Sequence, residues 1–200
     1  MKSWLTQRVY ILAVLAALLI VVQCINALSG GLLTSLGILP RTLSGLKGIL
    51  LAPFIHGDWS HLFSNLPILL ILSALLMASS VRDYVYSSLA VIVIGGGLVW
   101  IFARSAYHVG ASGWIFGLWA LLLAQGLARR KLLDLALALL ILFYYGGMAA
   151  GLLPGDSRIS TESHIAGAVA GIIYAWLERK WRMRKTKRLD EREVPHSGSR

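Results

Sequence analysis

GASGWIFGLWALLLAQGLA, Gly110 to Ala128, sets a serine between glycines at the head of an apolar run that stops at Arg129-Arg130-Lys131. An apolar stretch of this length with a basic stop reads as a membrane-crossing helix. Working outward, five more runs read the same way: Val9 to Leu28, Leu62 to Ala78, Tyr84 to Ala103, Leu135 to Leu153 and Ile165 to Leu177. The chain has 200 residues, 57% of them hydrophobic and 14% charged, and its mean hydropathy is +0.71. A soluble domain of that size cannot bury so much apolar surface. The expected fold is therefore an all-α polytopic membrane protein with six transmembrane helices and no separate soluble domain. The first run is long for a signal-peptide core and lacks a small-residue cleavage site, so it is expected to be retained as a span.

The net charge of +10 is concentrated in the tail from Arg179 to Arg200 and at Arg129-Arg130-Lys131. With no basic folded domain behind it, this charge does not point to nucleic acid. It is the distribution expected of cytoplasmic flanks. With both termini cytoplasmic, the inner side holds Lys2, Arg8, Arg82, Arg129, Arg130, Lys131 and the tail, and the outer side only Arg41, Lys47, Arg104 and Arg158. The second, fourth and sixth spans then run from outside to inside. A membrane domain over 1–181 and a basic, disordered cytoplasmic tail over 182–200 are expected, the tail solvated or touching anionic lipid. Ser29 to Ile55, rich in glycine and leucine, is too apolar for a free loop and too broken for a span. It is expected to lie partly in the membrane with its backbone satisfied by other segments. Cys24 is the single cysteine and reads as a small core residue.

Polar residues inside apolar spans are costly and suggest a functional site. Three patterns stand out: His56-xxxx-His61-xxx-Asn65, Gly110-Ala-Ser112-Gly113, and His164 followed by Gly167 and Gly171. Ser112 lies seventeen residues before Arg129, and Asn65 seventeen before Arg82, or ~26 Å up a helix of 1.5 Å rise. His164 lies fourteen before Glu178, ~21 Å up. Against a core of ~30 Å, all three fall in its outer third. Gly110, Gly113, Gly167 and Gly171 make two small-residue faces that let helices approach closely. Such packing would bring a serine hydroxyl near an imidazole, the minimum parts of an activated nucleophile. His61 and Asn65 share one helix face. They could glue helices together or supply donors to a developing oxyanion. Asp58 and Glu162, the nearest carboxylates in sequence, are expected at the outer surface, so the pattern suggests a Ser112–His164 dyad and not a triad. His56 is expected to order the entry to the second span. His108 and His196 read as a loop residue and a tail residue.

These spacings, in this order, resemble the rhomboid family of intramembrane serine proteases, over the six-helix core from about Val9 to Trp181. The resemblance implies a rhomboid-like bundle in the cell (inner) membrane with its active site facing outward. It implies Ser112 as nucleophile, His164 as general base, and His61, Asn65 and the Ser112 backbone as oxyanion hole. It also implies an aromatic packed on the base, here Phe116, with His56, Gly110, Gly113, Gly167 and Gly171 in support. The partners implied are a transmembrane protein substrate and the lipid bilayer, with no cofactor and no metal. Phe143, Tyr144 and Tyr145 of the fifth span become a candidate gate. Many bacterial members carry a tryptophan–arginine pair in the first loop, for which the nearest match here is Pro40-Arg41. Three other readings compete. A catalytically silent rhomboid-like protein would bind membrane clients. A channel or transporter could use His61 and His164 as a proton relay, but leaves Ser112 unexplained. A membrane metalloprotease lacks its His-Glu-x-x-His pattern.

Overall fold

The computed structural model describes residues 2–129 and 160–193, together with isolated positions between 132 and 143. The elements are α1 (Lys2–Leu28), the single turn α2 (Gly48–Leu51), α3 (Trp59–Ser79), α4 (Val81–Phe102), α5 (Ser112–Arg129) and α6 (Thr161–Glu193). Among the described residues, α1, α3 and α4 are long and apolar enough to cross a membrane, and Ser112–Ala128 of α5 is a shorter apolar helix. The expected fifth span, with its candidate gate, lies outside the described residues except at isolated positions, as does His196.

Capping residues set the helix starts. The Asp58 carboxylate accepts from the His61 N–H at 2.7 Å at the head of α3, and Ser80 Oγ accepts from the Asp83 N–H at 3.1 Å at the head of α4. Each satisfies an amide that the first turn leaves without a helical partner. Side chains then bury at helical spacing. On α3 the inward face is Leu62, Asn65, Leu69, Leu72, Ser73, Leu76 and Met77; on α4 it is Tyr84, Ser87, Ser88, Val91, Ile92, Gly95 and Val99. The opposite faces expose Phe63, Ile71, Val85, Leu89 and Val93, an apolar surface suited to lipid. Among the buried polar groups on these faces, Ser73 Oγ donates to the Tyr84 hydroxyl at 3.1 Å, and Ser87 Oγ donates to the Tyr84 carbonyl at 3.0 Å.

The most extensive contact between described elements joins α5 to α6, followed by α4 to α6. Glycine makes it possible. A Cβ at Gly167 would run into the Gly113 carbonyl, and one at Gly171 into the Gly117 carbonyl. Backbone thus lies on backbone, and dispersion and shape hold helices that gain nothing from hydrophobic transfer in lipid. At the other end, Arg182 pairs with Glu178 at 2.6 Å and with Asp83 of α4 at 3.1 Å, and these carboxylates raise the Arg182 pKa further. Gln125 of α5 donates to Glu178 at 2.7 Å.

The tail expected from residue 182 begins within α6. α6 runs unbroken to Glu193. The Glu178–Arg182 pair bridges one turn at the exit; the lysines, arginines and glutamates beyond it are good helix formers, and the lysines and arginines also suit the C-terminal half of a helix.

Segment 29–55 contains 3-10 turns at Leu32–Leu36, Ser44–Lys47 and Ala52–Phe54 around α2. Its backbone is satisfied by neighbouring segments: Ile38 exchanges two hydrogen bonds with His108, at 3.0 and 2.9 Å, and the Arg41 N–H donates to the Trp100 carbonyl at 3.0 Å.

Candidate functional site

Three tethers hold the turn that delivers Ser112 to the head of α5. The Gly110 N–H donates to the Ala52 carbonyl at 2.9 Å. The Ala111 N–H donates to His56 Nε2 at 3.3 Å. The Ile115 N–H then donates to the Ala111 carbonyl at 2.9 Å and starts the helix. Gly110 has φ +113°, a conformation open to glycine and strained for other residues. A Cβ there would also lie 2.6 Å from Cε1 and 2.7 Å from Nε2 of His61. The His61 ring therefore rests on the turn that carries Ser112. Ser112 itself is half-buried, and its N–H belongs to the first helical turn, where amides lack intrahelical partners.

His56 is fully buried. Its own carbonyl accepts from Asn26 Nδ2 of α1 at 2.9 Å, so α1 reaches the site through it. Because Nε2 accepts a hydrogen bond, the ring must be neutral there. Burial is the main cause that lowers its pKa to about 4, and the charge of His61 adds to it; the Phe54 carbonyl and Asp58 act in the opposite sense. Folding stability is thus untouched by this group above pH 6.5, falls as pH drops from 6.5, and levels off below about 4. A shift of this size corresponds to about 3 kcal/mol. The unfolding midpoint of wild type in detergent is expected to fall more steeply over this window than that of His56→Gln, which can still accept from Ala111. Parallel curves would remove His56 from the acid response.

His164 sits on the first turn of α6, buried at 8% exposure. Its ring stacks on Phe116 of α5, with centroids 4.3 Å apart and planes 13° from parallel. One residue earlier, the Ser163 carbonyl lies 3.0 Å from where a Gly113 Cβ would be. Ser112 and His164 thus occupy the same end of two helices in backbone contact. His61 and Asn65 approach from α3. His61 packs edge-on against His56 at 5.1 Å. Asn65 is buried, and its Nδ2 donates one hydrogen to the His61 carbonyl at 2.7 Å, which leaves the amide a second hydrogen to donate. Beside the turn lies a cavity of about 40 Å³ that Gly110, Gly113, Trp114 and Ser163 help to line. Among the described residues, no group of three or more His, Cys, Asp or Glu side chains is arranged to hold a metal ion.

Residues 44–181 match the family model of the Rhomboid domain. The chain belongs to the rhomboid family. It is 37% identical over 182 residues to an uncharacterised protein of Mycobacterium tuberculosis, covering 84% of this chain and 76% of that one. A protein of Mycobacterium leprae is 34% identical over 195 residues, 91% and 77% of the two chains. Rhomboid-like protein 11, chloroplastic, of Arabidopsis thaliana is 32% identical over 144 residues, 65% and 51%.

In this rhomboid the first loop is anchored by Arg41 with a tryptophan from elsewhere in the chain. Arg41 has φ 59°, which a non-glycine residue holds only when its surroundings impose it. Its guanidinium donates to the Ala103 carbonyl at 2.8 Å, the Ile101 carbonyl at 3.1 Å and Ser105 Oγ at 3.1 Å. Trp100 of α4 donates back to the Thr42 carbonyl at 2.8 Å. The expectation for His108 needs sharpening: it is a loop residue by position but buried at 3% exposure. Its ring bonds Ser160 Oγ at 2.6 Å and the Arg104 carbonyl at 3.0 Å. Ser160 and Asn26 were likewise not legible as site supports, because their partners are 52 and 30 residues away and no local pattern joins them.

Proposed function

We propose that this rhomboid is an intramembrane serine protease that cleaves transmembrane protein substrates with a Ser112–His164 dyad. The observation that carries the reading is the stack of His164 on Phe116, one turn after Ser112, on helices locked together by Gly113 and Gly167. Ser112 Oγ attacks the scissile carbonyl and His164 takes its proton, then returns it to the leaving amine. In this reading the Ser112 N–H, Asn65 and His61 donate to the oxyanion as it forms. Six spans with both termini cytoplasmic put this centre in the outer third of the membrane, in keeping with the lysine and arginine distribution. A regular membrane helix hides its carbonyls in internal hydrogen bonds. Preferred substrates are therefore spans weakened by glycine or proline near their outer ends.

Labelling of the detergent-solubilised protein by a fluorophosphonate tests the reading. Wild type is expected to label and Ser112→Ala to remain unlabelled. A folded wild-type protein that neither labels nor cleaves would favour a silent rhomboid that binds membrane clients.

A further inference from the structure

We propose that His108 and Ser160 form a positioning clamp that sets the distance between the turn carrying Ser112 and the helix carrying His164. The inference rests on the protease reading above. His108 stands four residues before Ser112, and Ser160 four before His164. The 2.6 Å bond between His108 Nδ1 and Ser160 Oγ therefore ties the two chain segments at equivalent points upstream of the dyad.

With the His108 ring neutral, the hydrogen bonds leave one self-consistent pattern. The Arg104 carbonyl can only accept, so His108 Nε2 carries the hydrogen it shares at 3.0 Å. Nδ1 of the neutral ring is then the acceptor, and the Ser160 hydroxyl donates to it. Ser160 Oγ in turn accepts from the Ser163 N–H at 3.2 Å and from the Ser163 hydroxyl at 2.7 Å. Both sides of the Ser160 hydroxyl are used, one capping the first turn of α6 and one holding the imidazole.

Both ends of the clamp are fixed. The His108 backbone exchanges two hydrogen bonds with Ile38 of the first loop, so the ring sits on an anchored strut. Ser160 also accepts at its carbonyl from Ser163 and His164, at 3.0 and 3.3 Å. A change at Ser160 is therefore transmitted to His164 within one helical turn. A second tie between the same segments, Arg104 with Glu162 at 3.6 Å, joins side chains that are 45% and 31% exposed. Partly exposed pairs of this kind contribute little, whereas the part-buried His108–Ser160–Ser163 network is hydrogen-bonded throughout and specifies geometry.

A positioning group acts on turnover more than on binding, because a displacement of ~1 Å at the dyad costs roughly a hundredfold in rate. The test compares purified wild type, His108→Leu, His108→Asn, Ser160→Ala and Glu162→Gln. Fluorophosphonate labelling rate, kcat and KM on a single-span substrate, and hydrogen exchange of amides 161–165 are measured. His108→Leu and Ser160→Ala are expected to lower kcat and labelling roughly ten- to a hundredfold, with KM little changed and exchange at 161–165 faster. His108→Asn presents a polar atom near the Nδ1 position and is expected to recover much of both losses. Glu162→Gln should match wild type.

Unchanged kcat and unchanged exchange in His108→Leu would overturn the clamp. So would a loss in His108→Leu that His108→Asn fails to recover, since that would mark a packing role. If wild type shows no Ser112-dependent labelling, the protease reading fails instead. Hydrogen exchange then still decides whether His108 holds the head of α6.

Discussion

Ser112→Ala and His164→Ala are each expected to bring substrate cleavage to background while the protein remains folded. The double variant is expected to be no worse than either single one. A nucleophile and its base act as one unit, so removing either forfeits the same catalytic advantage and a second removal has little left to take. Ser112 is half-buried at the head of α5, so truncating its side chain opens little space in the bundle. The imidazole of His164 stacks on Phe116, so His164→Ala vacates one side of that ring. His164→Phe is a useful companion: it restores the stack but no proton acceptor. Cleavage by Ser112→Ala clearly above background would end the nucleophile assignment, and multiplicative losses in the double variant would show two independent roles.

The second large effect is expected at the α5–α6 contact, and a single methyl group suffices to reveal it. At Gly171 an added Cβ would strike the Gly117 carbonyl and lie 3.0 Å from the Leu121 nitrogen; at Gly167 it would strike the Gly113 carbonyl and lie 3.1 Å from the Gly113 Cα. These are backbone atoms of a helix and cannot step aside singly, so the helices must part. Overpacking of this kind costs about 1–3 kcal/mol or more. It also displaces His164 from Ser112, for a further loss of roughly a hundredfold in rate. Gly97 of α4 is the matched control, since a Cβ there meets nothing within 4 Å. Alanine at Gly97 is expected to be neutral or slightly stabilising, because glycine is the poorer helix former. Thermal midpoint and labelling rate of Gly167→Ala, Gly171→Ala and Gly97→Ala decide the matter. Three similar midpoints would show that the glycines are not the contact.

The sequence by itself determined the class of the protein and the principal parts of its candidate site. Apolar runs ended by arginines read as membrane helices because hydrocarbon tolerates little else. The close approach of the helices carrying Gly113 and Gly167–Gly171 was legible because small residues recurring on one face of a span have few uses besides close approach, whereas the partnering of Gly171 with Gly117 came from the structure. Ser112, His164, His61 and Asn65 stood out because polar groups at such positions are expensive.

Only the tertiary structure decided how these parts are supported. His56 proved to brace the Ser112 turn through the Ala111 N–H, and Asn26 of α1 braces His56 in turn. Arg41 found Trp100, Ile101 and Ala103 at the end of α4, and His108 found Ser160. Each of these bonds joins segments tens of residues apart, and a hydrogen bond leaves no periodicity in the chain from which it could be read. The length of α6 shows the complementary limit. A charged tail with few apolar residues reads as disordered by composition; Glu178 and Arg182, one turn apart, couple its start to a helix already held in the bundle. Helix growth from a formed turn is far easier than nucleation, and the bundle supplies that turn.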